Sequence, residues 1–86
     1  MKVRIPSPLL SYTKSKQVEA NGATLADVFA DLDQRFPGIR FRVINEQDQI
    51  REHIKIFVNQ TVASSLADSV QAGDEIHIIT AISGGA

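Results

Sequence analysis

The sequence predicts a two-layer α+β domain in which one amphipathic helix is laid on a β-sheet. Three observations predict it. Short segments near both ends, "KVRIP" and "EIHIITAI", alternate apolar and polar residues with period two. A single stretch, "TLADVFADLDQRF", instead repeats at helical spacing. The order is strand, strand, helix, strands, so one isolated helix must bury its apolar stripe against a sheet.

Each element has its own warrant. In "KVRIP", Val3 and Ile5 face one way and Lys2 and Arg4 the other; Pro6 and Pro8, which cannot donate to a ladder, end the strand. "LLSYTKSK" is a connection, and "QVEA" a short second strand closed by the Asn21-Gly22 turn. Thr24 stands at the N-cap, with Asp27 three residues on as the capping acid. Leu25, Val28, Phe29, Leu32 and Phe36 then fall on one helical face, with Asp27, Asp31, Gln34 and Arg35 on the wet side, and Pro37-Gly38 stops the helix.

Beyond it, "IRFRVI" sets Ile39, Phe41 and Val43 against Arg40 and Arg42, which predicts an extended segment. "NEQDQIREH" is a polar surface excursion. "IKIFVN" is a strand with Ile54, Ile56 and Val58 on one face, and Asn59-Gln60 turns it into "TVA". "SLADSVQAGDE" places Leu66 and Val70 against the core and turns at Gly73-Asp74 into a last strand with Ile76 and Ile78 inward and His77 outward.

Composition narrows the chemistry. With 86 residues, 43% of them hydrophobic, the sequence predicts one domain over 1–86, with the glycine pair near its end in a flexible tail, 82–86. The absence of cysteine excludes a disulfide framework, a thiolate metal site and a cysteine nucleophile. A net charge of −1 supplies no electrostatic reason to expect nucleic acid or an anionic membrane. No signal-peptide pattern opens the chain and no apolar run is long enough to span a bilayer, so a cytoplasmic location is expected.

No active-site constellation stands out. His53 and His77 lie far apart without companion ligands and are expected at the surface; no metal site is expected. Asp27 and Asp31 are expected to be solvated, Asp31 pairing with Arg35 at i, i+4. Arg40, Arg42, Arg51 and Lys55 form a modestly basic patch, either a solvated face or a docking surface for an acidic partner. Ser64, Ser65 and Ser83 lack a nucleophile's setting. Gly84-Gly85 is no phosphate cradle, since neither lysine nor helix follows.

The element order, the helical region "NGATLADVFADLDQRFPGI", the strand "IFVN" and the closing "LADSVQAGDEIHIITAISGG" together resemble the ubiquitin-like β-grasp sulfur carriers. That family includes the small subunit of molybdopterin synthase and the thiamin-pathway carriers. The resemblance implies a mixed sheet packed on one main helix. It also implies a protein substrate, not an enzyme, that binds no cofactor itself. A ubiquitin-activating-type partner uses ATP to adenylate the C-terminal glycine, which sulfur converts to a thiocarboxylate.

Carried to this chain, Gly85 bears the sulfur, Gly84 gives clearance in a narrow site, and Ser83 and Ile82 position the tail. Ala86 resembles the trailing residue of precursor carriers, which a zinc metalloprotease removes. That pattern implies sulfur delivery for cysteine or homocysteine (methionine) synthesis, with a pyridoxal-phosphate sulfhydrylase as the consuming enzyme. Departing from the family, the chain lacks a proline at Thr80 or Ala81. Two other roles stay open: the small subunit of molybdopterin synthase, or a ubiquitin-like modifier or interaction module.

Overall fold

A computed structural model describes residues 1–80. Five strands form one sheet: β1 (Lys2–Arg4), β2 (Gln17–Glu19), β3 (Ile54–Val58), β4 (Thr61–Val62) and β5 (Glu75–Thr80). Their order across the sheet is β2-β1-β5-β3-β4, with β1 and β5 parallel and the other pairs antiparallel. The sheet is therefore mixed, with the C-terminal strand at its centre. Beside it lie three helices: α1 (Leu10–Thr13), α2 (Leu25–Arg35) and α3 (Ile39–Val43).

The main helix α2 forms where the sequence places it. Leu25, Val28, Phe29 and Leu32 are buried to the last atom and Phe36 packs on the cluster's rim. The inward faces of the strands meet that stripe through Val3, Ile56, Ile76 and Ile78. The three unpaired amides of the first turn are all satisfied. Thr24 Oγ1 accepts from the Asp27 N–H (3.3 Å). Leu25 N–H donates to Asp68 O (3.1 Å) and Ala26 N–H to Leu66 O (3.0 Å). The loop before β5 thus caps the helix while it buries Leu66 and Val70.

That loop is itself pinned by Asp68, whose carboxylate accepts from the Ser64 N–H (2.8 Å) and meets the Ser64 and Ser65 hydroxyls. These bonds, the Ser64 amide first, hold the carboxyl below its ordinary value against the opposing effect of burial.

Gly22 is where the chain passes closest to α2. A Cβ there would sit 2.7 Å from Asp27 Cβ and 2.8 Å from the Val28 nitrogen, which is helix backbone and cannot step aside. Gly22→Ala is therefore expected to lower stability by about 1–3 kcal/mol. Urea unfolding checks this as a fall in midpoint at unchanged slope.

Two segments depart from the sequence-based expectation. "IRFRV" is helical, not extended: Ile39, Val43 and Ile44 are buried and Phe41 is 54% exposed. The strand pattern would have buried Phe41 with Ile39 and Val43; the spacing 39, 43, 44 belongs to a helix face. Gly38 takes φ +96°, and the Asp33 carboxylate accepts from both Gly38 N–H (3.1 Å) and Arg40 N–H (3.2 Å). A side chain from the end of α2 thereby organises the start of α3, and that contact overrides the strand preference of β-branched residues. "SPLLSYT" is also more ordered than a plain connection, forming a 3-10 turn (Ser7–Leu9) that runs into α1 and buries Leu9 and Thr13.

Candidate functional site

Every residue singled out for tail chemistry, Ile82, Ser83, Gly84, Gly85 and Ala86, lies outside the described residues. The structure does describe the root from which that segment departs. β5 pairs with β1 only through His77, since β1 ends where Pro6 turns the chain away. It pairs with β3 through Thr80, which sits opposite Ile54. The root is thus held at the centre of the sheet by ladder bonds on one flank, next to the first residue of β3.

The opposite end of β5 is tied down by side chains. Asn59, at φ 59°, donates through Nδ2 to Asp74 Oδ1 (3.1 Å), and its Oδ1 accepts from the Glu75 N–H (3.1 Å). Asn59 N–H also donates to Glu75 O (2.7 Å). Arg4 Nε donates to Glu75 Oε2 at 2.8 Å, and this bond holds the Glu75 carboxyl below its ordinary value. On the outward face of the sheet, Val62 and Ile79 are exposed apolar residues, and Lys55 is paired opposite Ile79.

The basic patch resolves into parts. Arg40 is paired with Asp48 (2.8 Å). Lys55 lies on the outward sheet face opposite Ile79. Arg42 and Arg51 instead converge with Phe41 and His53 on an open cleft of about 340 Å³. Arg51 Nε donates to Phe41 O (2.8 Å) and its guanidinium lies 4.6 Å from the centre of the Phe41 ring. The sequence reading missed Phe41, which it turned inward, and the partnership with His53. The helical spacing of Ile39, Val43 and Ile44 was the available signal.

The two helix carboxylates are structural. His53 and His77 are exposed, as expected. Asp31 pairs with Arg35 (3.1 Å) and also accepts from the Asn21 N–H (3.0 Å), while Asp27 accepts from the Ala23 N–H (3.3 Å). Both carboxylates fasten the β2–α2 turn. Among the described residues, no group of three His, Asp or Glu side chains could hold a metal ion, and no helix is long and apolar enough to cross a membrane.

Known proteins share both sequence and fold. The model of the ThiS family matches residues 3–85. The sulfur carrier protein CysO of Mycobacterium tuberculosis is 33% identical over 89 residues, covering 96% of each chain. The crystal structure of M. tuberculosis CysO superposes with a TM-score of 0.88 at 30% identity, over 93% of this chain and 97% of that one. A chain of the Amycolatopsis orientalis BexX/CysO complex gives a TM-score of 0.88 at 32% identity, over 93% of both chains.

Proposed function

We propose that the last residues of this chain, which belongs to the ThiS family of ubiquitin-like sulfur carriers, are its working part, with Gly85 as the residue that carries the sulfur. The role of sulfur carrier comes with the family. The route below extends it to this chain, and the observation that carries it is the Gly84-Gly85 pair a few residues beyond the central strand that the sheet holds through Thr80.

The chemistry runs in five steps. A partner metalloprotease adds water across the Gly85–Ala86 peptide bond, releasing alanine and freeing the Gly85 carboxylate. A ubiquitin-activating-type enzyme then directs that carboxylate onto the α-phosphorus of ATP, and pyrophosphate leaves. A sulfide-equivalent nucleophile next attacks the acyl-adenylate and displaces AMP, leaving a thiocarboxylate. The thiocarboxylate sulfur then attacks an electrophilic carbon of the substrate bound to the consuming enzyme and displaces that substrate's leaving group, giving a thioester. Hydrolysis of the acyl–sulfur bond restores the carboxylate. A pyridoxal-phosphate sulfhydrylase of cysteine or homocysteine synthesis fits that last role.

The chain's own contribution is placement. Glycines have no Cβ, so the backbone can approach a recessed partner site closely. The sheet anchors the departure point while the partners supply the catalysis.

Intact-mass measurement on protein from its native host is expected to show loss of one alanine residue and replacement of one oxygen by sulfur. The chain has no cysteine, so a thiol-selective alkylating reagent marks the thiocarboxylate and separates it from oxidation of Met1. An untrimmed, unalkylated chain under sulfur limitation would remove the support for this route.

A further inference from the structure

We infer that the Phe41–Arg42–Arg51–His53 cleft is the docking surface through which the adenylating enzyme grips this carrier, by way of an acidic, partly apolar patch beside its tail channel. The inference rests on the carrier reading above and adds a surface to it.

Position comes first. His53 directly precedes Ile54, and Ile54 pairs with Thr80, the last described residue of the central strand. Consecutive Cα atoms are about 3.8 Å apart, so His53 lies within a residue or two of the tail's root. A protein that encloses the tail has to cover this end of the sheet as well.

Composition comes next. The chain as a whole carries −1, yet the described residues that line this cleft include two arginines and a histidine and no carboxylate. Glu52, between Arg51 and His53 in sequence, is not among the lining residues, and Asp48 is engaged by Arg40. The Arg42 side chain lines the cleft and makes no hydrogen bond or ion pair with another described residue. Arg51 is held by its Nε bond to Phe41 O, which leaves its terminal nitrogens directed by a fixed plane. A pre-oriented arginine loses less side-chain freedom on binding.

Phe41 supplies the apolar half. Phe41 is more than half exposed although Arg51 stacks on its ring, and aromatic and arginine side chains together are the usual anchors of protein interfaces. The fold holds it there: Ile39, Val43 and Ile44 occupy the core face of α3 and leave residue 41 on the opposite side. The complementary surface is therefore a shallow apolar recess flanked by Asp or Glu, which would also steer the encounter electrostatically.

The test is ATP–pyrophosphate exchange by the adenylating enzyme of the same organism, with the chain ending at Gly85 as substrate; it lacks only Ala86 and keeps every residue of the described core. Arg42→Glu and, separately, Phe41→Ala are expected to raise KM about tenfold with kcat within twofold. Rising salt should raise the KM of the unaltered chain far more than that of Arg42→Glu. Both side chains are exposed, and an unchanged Tm confirms that folding is not the cause. Unaltered KM in both variants, while the parent chain exchanges normally, would overturn the docking surface and leave the carrier reading standing. A fall in kcat alone would overturn it too. No exchange by the parent chain at any concentration would overturn the carrier route and this inference with it.

Discussion

A chain ending at Gly85 is expected to support ATP–pyrophosphate exchange, while the chain ending at Ala86 gives only background until it is trimmed. In the longer form the Gly85 carbonyl belongs to an amide, whose resonance leaves no free carboxylate to attack phosphorus. The carboxylate on Ala86 is no substitute. It lies one residue further on, about 3.8 Å away along the chain, and its α-carbon bears a methyl group. Placing the reacting atom by even about 1 Å in error can lower the rate by about 100-fold. For the same reason Gly85→Val in the shortened chain is expected to lose at least about 100-fold in exchange. Thermal unfolding should not move, because the substitution leaves every residue of the described buried cluster in place. Exchange by the Ala86 form at a rate close to that of the shortened chain would sink the idea that Ala86 keeps the carrier inert.

Phe29→Ala is expected to be the most destabilising single substitution in the core, at about 3–5 kcal/mol. Phe29 is fully buried on α2 and is the largest of the fully buried side chains. A small domain has about 5–15 kcal/mol of stability in all, so this change takes a large share of it. At about 4–8 °C per kcal/mol for a domain of this size, Tm should fall by about 12–40 °C. Urea titration should show a lower midpoint at unchanged slope. A loss below about 1 kcal/mol would mean that the helix stripe is not the centre of the core.

Much of the fold was legible because the decisive signals were local. Thr24, the Leu25–Phe36 stripe and Pro37 define α2 through capping, periodicity and termination, each acting within a few residues. Alternation at Val3 and Ile5, at Ile54 and Ile56, and at Ile76 and Ile78 marked the inward faces of three strands, and all six residues are buried. The family resemblance depended on the joint order of these pieces and on Gly84-Gly85, which are features of sequence alone.

α3 was illegible for the opposite reason. Ile39 to Val43 alternate well enough for a strand, and what makes them helical is a contact from Asp33 together with the left-handed Gly38. The basic patch shows the same limit. Four cations close in sequence imply a common surface, but the fold neutralises Arg40 with Asp48 and sends Lys55 to the sheet. Only the turn of α3 toward the start of β3 brings Phe41 and His53 beside Arg42 and Arg51.

By itself, then, the sequence determined the class of fold, the main helix, the inward faces of the strands and the family, because capping and periodicity are properties of neighbouring residues. The tertiary structure alone decided that the strand ending at Thr80 is the central one of the sheet and that an aromatic, cationic cleft lies beside that end. Both depend on strand order and on a helix docked from outside its own sequence, and chain contacts over long separations carry no period for a reader of the sequence to find.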